Sequence, residues 1–260
     1  MMPNSISFDR AADFYDQTRD LAEPVATHGI PALLSLIAPR EVCRILDVGI
    51  GTGRIAVPLI NLGADVIGID LSLKMMAKLR QKNPTARIAQ ADASQLPFPD
   101  HTFDAALTTH VLHLIGPWRE ALHEFKRVIK PGGVYINAWH HHQDRSVSQA
   151  IRDDWRERVR ARGVNWRRPG AQLPDDVIAE LKALGNFEEI QLVQYPTTST
   201  ARFELDRIAN RVMSDAWQVP AAVYDVTLNE TRAWAEREYG DLDRPVVEDR
   251  HFIAQVVRFN

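Results

Sequence analysis

The stretch Arg44-Ile45-Leu46-Asp47-Val48-Gly49-Ile50-Gly51-Thr52-Gly53 decides the fold. Its first half continues a compact apolar run from Val42, of the kind that forms a strand covered on both faces. Its second half sets glycines at alternate positions, where the chain can turn sharply and let a ligand approach the backbone. A helical segment follows to Leu62, with Gly63 as its stop and Pro58 expected to kink it. Such a loop is a weak signal alone, because turns use glycine for their own geometry. The neighbouring segments supply the rest.

Upstream, residues 1–28 read as an amphipathic lead-in helix with Phe8, Ala12 and Tyr15 on one face, and a short helix from Ile30 to Ala38 stops at Pro39. Downstream, Asp65–Asp70 is a second strand, and Ser72 caps a helix bearing Met75, Met76 and Leu79. Arg87–Asp92 and Phe103–Thr109 are the third and fourth strands. A helix with Leu122, Phe125, Val128 and Ile129 is expected to end at Pro131-Gly132-Gly133, before a fifth strand from Val134 to Trp139. Strands alternating with helices predict right-handed βαβ units and a parallel sheet. The pattern then loosens. A helix over 147–160, a loop over 163–175, a helix over 176–184, a strand over 187–195, two helical pieces over 202–239 broken near Pro220, and a strand over 249–259 complete the chain.

Asp47 lies two residues before the first loop glycine, Asp70 ends the second strand and Asp92 ends the third. In an open parallel sheet these ends face one crevice, where ligands bind. A carboxylate only accepts hydrogen bonds, which suits Asp70 to the paired hydroxyls of a ribose and Asp92 to the amine of adenine. On that reading Asp70→Ala weakens such a ligand and leaves ligand-free stability nearly unchanged.

The stretches Ile45–Gly53, Val66–Ser72, Ala91–Phe98 and Arg127–Gly133, in this order, resemble class I S-adenosylmethionine-dependent methyltransferases. The small-molecule group containing the ubiquinone and menaquinone C-methyltransferases (methyltransferase type 11-like) is the most similar. The resemblance implies an α/β, Rossmann-like doubly wound sheet of about seven strands, mostly parallel with an antiparallel last strand. S-adenosylmethionine is then the methyl donor. By the same resemblance Asp47 and the backbone of Gly49, Ile50 and Gly51 lie near its methionine part, and Gly53, Met75 and Thr109 are further donor-binding candidates. Asp70 takes the ribose, and Leu71, Asp92 and Ala93 surround the adenine. The lead-in resembles the helix that closes over the donor, placing Tyr15 by the sulfonium and Arg19 by a carboxylate. The expected layout is one domain over 1–260: a lead-in at 1–28, a donor-binding core at 29–139, and helical cap additions at 140–175 and 197–245.

Methyl transfer from a sulfonium needs positioning and, for some acceptors, a base. The candidates are His110 and His113 after the fourth strand and His140, His141 and His142 after the fifth, His110, His113 and His140 foremost. Neighbours on a strand point to opposite faces, so the triple histidine is a poor metal site. Thr108-Thr109-His110-Val111 replaces the Asn-Pro-Pro-Tyr motif of methyltransferases acting on adenine or glutamine, and no Pro-Cys pair exists. Cys43 sits at the wrong end of its strand to be a nucleophile. The glutamate pair of arginine methyltransferases is missing from Leu112 to Trp118. A small, partly apolar acceptor with an O, N or C nucleophile remains.

Seven arginines between Arg152 and Arg168, with Trp155 and Trp166 among them, suggest nucleic acid, and with it an RNA methyltransferase. Asp153, Asp154 and Glu157 interrupt the run, so a solvated face over a capping element is the better reading. Net charge is −3, which favours neither nucleic acid nor an anionic membrane. The polar N-terminus, the lack of a membrane-length apolar run and the single cysteine point to a soluble cytoplasmic protein without disulfides, monomeric or homodimeric. A dinucleotide dehydrogenase is disfavoured, since Arg54 breaks the spacing of its glycine fingerprint. A non-catalytic S-adenosylmethionine-binding regulator stays open.

Overall fold

The computed structural model describes residues 5–19, 21–37, 43–142 and 146–259, apart from the side chain of His142. The helix stop expected at Pro39, the strand start expected at Val42 and the candidate side chain of His142 lie outside the described residues. The first elements are α1 (Tyr15–Thr18), α2 (Ile30–Ile37), β1 (Arg44–Val48), α3 (Ala56–Asn61), β2 (Asp65–Asp70) and α4 (Leu73–Lys82). Then come β3 (Arg87–Gln90), β4 (Phe103–Thr109), α5 (Trp118–Val128), β5 (Ile129–His142) and α6 (Val147–Ala161). The chain ends with α7 (Pro174–Leu184), β6 (Asn186–Ser199), α8 (Ala201–Ala209), α9 (Ala221–Tyr239) and β7 (Val246–Arg258).

The strands form one seven-stranded sheet in the order β3-β2-β1-β4-β5-β7-β6. β1 runs parallel to β2, with Ile45 opposite Val66, and to β4, with Ile45 opposite Ala105. The β2–β3 and β4–β5 pairs are parallel too. β7 returns antiparallel between β5 and β6; the Phe259 N–H donates to Gly133 O and the Gly132 N–H to Phe259 O, both at 3.0 Å. This is the doubly wound, Rossmann-like sheet with an antiparallel end that the resemblance implies. Strand order reverses at β1, between β2 and β4, and that switch point opens the ligand crevice at the carboxyl ends.

Local sequence explains the departures. Among the described residues of the lead-in, a continuous helix is absent: α1 covers Tyr15–Thr18, and a π-helical turn at Val25–Gly29 leads into α2. Pro58 falls in the first turn of α3, where its fixed φ suits a helix start; Val57 and Leu59 on either side still donate to Gly53 O and Ile55 O. Strand β3 stops at Gln90, so Asp92 stands in the following loop. Helix α5 ends at Val128, short of Pro131, because the residue before a proline avoids the α region. Ile129 pairs with Phe103 instead, and after an excursion containing Gly132 (φ 73°) the ladder resumes with Val134 opposite Ala105.

The chain divides into two compact units, one of residues up to His140 with 169–193 and 252–260, the other of 141–168 and 194–251. The segment 140–175 is thus shared between them: Gly170 and Ala171 belong to the first, donating their N–H groups to His113 O and Leu112 O at 3.2 Å. In the first unit Leu46, Ile69, Phe103, Phe125, Tyr135, Leu181 and Val257 build one core. In the second, Ile151, Trp155, Leu205, Ile208 and Ala235 build another, with Trp155 edge-on to Tyr224 at 5.6 Å.

One contact fixes the height of the loop after β1. Ile50 lies over Gly68 of β2, and a Cβ at Gly68 would fall 2.0 Å from Ile50 Cδ1. Gly68→Ala is therefore expected to cost about 2–3 kcal/mol, the range of core overpacking, measured by denaturant unfolding. Ile50→Ala in the same chain should recover part of that loss.

Candidate functional site

The glycine loop follows β1 with Gly49, Gly51 and Gly53 at φ 75°, 55° and 79°, conformations that other residues rarely adopt. Two of the three are also crowded. A Cβ at Gly49 would meet Val111 at 2.5 Å, and one at Gly53 would meet Leu79 at 2.4 Å. Gly51 is more open, its nearest neighbour being Met75 Cε at 3.3 Å. The loop's donors are largely committed. The N–H groups of Gly49 and Ile50 both go to Ile69 O (2.8 and 3.0 Å), and that of Gly53 goes to Ile50 O (3.0 Å).

Asp70 binds the crevice walls together. Its Oδ2 accepts from Gly51 N at 2.9 Å and its Oδ1 from Ser72 N at 2.7 Å, which ties the end of β2 to the loop and to the cap of α4. Burial raises its pKa, and the hydrogen bonds from Ser72 and Gly51 offset that only in part. Ser72 caps α4 by accepting from Met75 N at 3.1 Å. Met75 is buried beneath Gly51, and Ala93 is buried in the core of the first unit. Leu71 O accepts from the Gln90 amide at 3.0 Å. Asp92 accepts from Ser94 N and Oγ at 2.9 and 2.8 Å, closing a turn of its own. Thr109 Oγ1, at the end of β4, is buried without a hydrogen-bond partner.

Asp47 is 3% exposed at the end of β1. Burial, and secondarily the charge of Asp70, push its pKa up to about 7.

His110 occupies the left-handed region (φ 56°) just past β4. Its Nε2 accepts from His140 N at 2.9 Å, and His140 Nδ1 lies 3.0 Å away with the rings stacked. Burial holds His110 well below the usual histidine range, helped by the nearby charges of His140 and Arg54. The His140 ring also stacks on Phe252 at 4.8 Å. His113 lies in the loop that the 170–171 segment borders. Among the described residues no group of three His, Cys, Asp or Glu side chains stands together to hold a metal ion.

The lead-in carries what the sequence reading missed. Arg19 lies over the Tyr15 ring at 4.8 Å and the Phe8 ring at 5.4 Å, with Phe8 edge-on to Tyr15. Three acids then run along α4. Asp9 accepts from Ser72 Oγ at 2.6 Å, Asp13 pairs with Lys78 at 2.9 Å, and Asp16 pairs with Lys82 at 2.6 Å. Asp16 also accepts from Thr52 Oγ1 at 2.6 Å, directly on the glycine loop. The Ser72 hydrogen bond holds Asp9 below the usual carboxylate range. The signal was present as Lys74, Lys78 and Lys82 on one helical face, with Asp9, Asp13 and Asp16 at similar spacing.

Two predictions follow from these carboxylates. Asp70→Ala, near neutral on the sequence reading, is expected to lower ligand-free stability by about 1–3 kcal/mol, because two buried backbone donors lose their acceptor. Asp47 acts oppositely. A folded pKa above the unfolded one means its stabilising share is complete below about pH 4 and is lost as pH rises through about 7. Asp47→Asn should therefore stabilise the ligand-free protein at pH 8 by about 2–4 kcal/mol and change little at pH 4. Thermal unfolding across that pH range checks both; a pH-independent effect at Asp47 contradicts the assignment.

Comparison with known proteins finds similarity over the part of the chain that carries the site. Residues 46–137, which contain the glycine loop, Asp70, Asp92 and the His110 turn, match the family model of the methyltransferase domain. The chain is 34% identical over 128 residues to malonyl-[acyl-carrier protein] O-methyltransferase of Salmonella typhimurium, covering 49% of each. It is 34% identical over 132 residues to demethylmenaquinone methyltransferase of Renibacterium salmoninarum, covering 50% of this chain and 56% of that one. The matches thus span about half the length of these curated relatives. Among solved structures, the YcgJ protein of Bacillus subtilis aligns with a TM-score of 0.57 at 18% identity, over 89% of this chain and 98% of that one. Phosphoethanolamine N-methyltransferase 2 of Haemonchus contortus, in complex with S-adenosyl-L-methionine, gives 0.54 at 18% identity, over 96% and 57%. Residues 46–137 thus match a methyltransferase domain, in a chain whose fold is shared with these solved structures.

Proposed function

We propose that the chain binds S-adenosylmethionine at the carboxyl ends of β1, β2 and β4 and transfers its methyl group to a small molecule. The observation that carries this is the pairing of a left-handed glycine loop with Asp70, held at 2.9 Å from Gly51 N. Asp70 accepts the Gly51 and Ser72 N–H groups on separate oxygens, and a carboxylate has the further acceptor capacity that suits the hydroxyls of a ribose. The open face of Gly51, the unpartnered Thr109 hydroxyl and the buried Asp47 carboxyl fit a cationic, hydrogen-bonding ligand. The bound donor supplies a methyl group already activated on sulfur. Asp47 then balances positive charge, Leu71 and Ala93 border the adenine with Asp92 facing its amine, and Tyr15 and Arg19 close the lead-in side.

The chain's own part in the chemistry is positioning and exclusion of water. Where the acceptor must lose a proton, His140 or His113 is the base. His110 is the weaker candidate, because its Nε2 already accepts a hydrogen bond and its burial opposes charge. It orients His140. No helix among the described residues is long and apolar enough to cross a membrane. The acceptor is a small molecule by analogy with the named relatives, two of which act in O- and N-methylation.

Calorimetry tests the reading. S-adenosylmethionine and S-adenosylhomocysteine should both bind and NAD should not, while Asp70→Ala weakens both by roughly tenfold to a hundredfold in a folded protein. NAD binding with no response to either adenosyl ligand overturns it. Donor turnover with a metabolite extract separates an enzyme from a regulator that only binds.

A further inference from the structure

The loop after β3 starts beside the crevice and ends against α5. Ala91 N donates to Asp70 O at 3.3 Å, and Asp92 is the next residue. The hydrogen bonds that Asp92 accepts come from Ser94, inside the same loop, so they shape the turn without fixing where the turn sits. Further along, Ala93 and Leu96 are buried in the core of the first unit. Pro97 and Pro99 contribute no N–H, so this part of the loop has fewer backbone donors with which to brace itself.

Helix α5 braces it instead. Arg127 Nη2 donates to Leu96 O at 3.1 Å, and its Nη1 donates to Phe98 O and to Asp100 Oδ1, both at 2.8 Å. Glu124, on the same face of the helix, accepts from Leu96 N at 2.8 Å. Its two oxygens also accept from Arg127 Nε and Nη2, both at 2.7 Å. The main chain adds to the clamp, with His101 N donating to Arg127 O at 3.1 Å. A guanidinium carries its donors in one rigid plane, and every nitrogen of Arg127 is engaged, so loop and side chain fix each other's orientation. The Arg127 hydrogen bonds hold the Glu124 carboxyl below the usual carboxylate range.

We propose that Arg127 and Glu124 are positioning residues for the base of the methyl donor. By clamping the loop from Leu96 to Asp100 they hold Asp92 where it accepts from the exocyclic amine, and so set the preference for adenine over hypoxanthine. This rests on the placement of Asp92 at the adenine amine in the proposed donor complex. Hypoxanthine carries a carbonyl oxygen where adenine carries that amine, and a carboxylate has no hydrogen to offer it. Discrimination of this kind depends on the acceptor being held in place, because a mobile one turns away from the wrong base at little cost.

Calorimetry with S-adenosylhomocysteine and with its hypoxanthine analogue, S-inosylhomocysteine, measures the preference directly. The unaltered protein should bind the adenine compound about tenfold more tightly or better. Arg127→Gln should cut that ratio by roughly fivefold or more, chiefly by weakening S-adenosylhomocysteine. Glu124→Gln keeps the shape of the side chain and should lower the ratio in the same direction; it serves as the test if Arg127→Gln does not fold. Arg119→Gln, on the same helix but paired with Glu180, should leave the ratio unchanged. Equal weakening of both compounds, with the ratio kept, overturns the proposal and leaves the clamp a stability element only. If the unaltered protein binds both compounds equally, the role of Asp92 and this proposal fall together while donor binding stands. If it binds neither, the donor reading itself fails and takes the proposal with it.

Discussion

The acceptance of two backbone N–H groups by one carboxylate, Asp70, is the constraint on which the site depends. Through it the end of β2, the glycine loop after β1 and the first turn of α4 share one rigid corner. The loop can hold its left-handed conformations because the Gly49 and Ile50 N–H groups go to Ile69 O, that of Gly53 goes to Ile50 O, and Gly68 leaves room for Ile50. Removing any of these loosens the rest, since all meet within a few residues of the sheet's switch point. Stability and ligand geometry are therefore not separable at this corner.

The lead-in adds a second layer made of different forces. Its contacts with α4 are mostly charge pairs between partly exposed groups, each worth little alone in water. Two such pairs, plus the hydrogen bond from the buried Ser72 hydroxyl to Asp9, hold the segment at a definite place on the loop. The second unit adds ion pairs to buried acids, Arg152 with Glu204 and Arg156 with Asp215, beside an apolar core of its own.

The sheet was legible in the sequence because β1, β2 and β4 are short apolar runs, the first two leading to Gly49 and Asp70. β1, β2 and β4 begin or end within two residues of where periodicity places them, and Pro220 marks the start of α9 as expected. What the sequence hid were competitions between neighbours. At Lys130-Pro131-Gly132-Gly133 a helix end was expected, yet pre-proline strain and pairing with Phe259 turn the motif into an excursion of β5. The apolar face of the lead-in suggested a helix, but hydrogen bonds to α4 and to the loop fix most of it in other conformations. Asp9, Asp13 and Asp16 looked like ordinary solvated acids, because their lysine partners lie more than sixty positions away in the chain. The inward turn of Arg152 and Arg156 was hidden for the same reason: Glu204 and Asp215 are distant in sequence, and no local pattern joins them.

Asp47 has a consequence for turnover on the proposed chemistry. A buried carboxyl balanced near neutrality ionises readily when a positive charge arrives beside it and takes a proton back when that charge leaves. A methyl donor is cationic and its demethylated product is not. The residue would thus lose its proton as the donor settles and recover it after transfer, so that the spent cofactor faces a neutral wall with no electrostatic hold on it. Exchange of product for fresh donor would then be favoured by the reaction's own change of charge, with no moving part required.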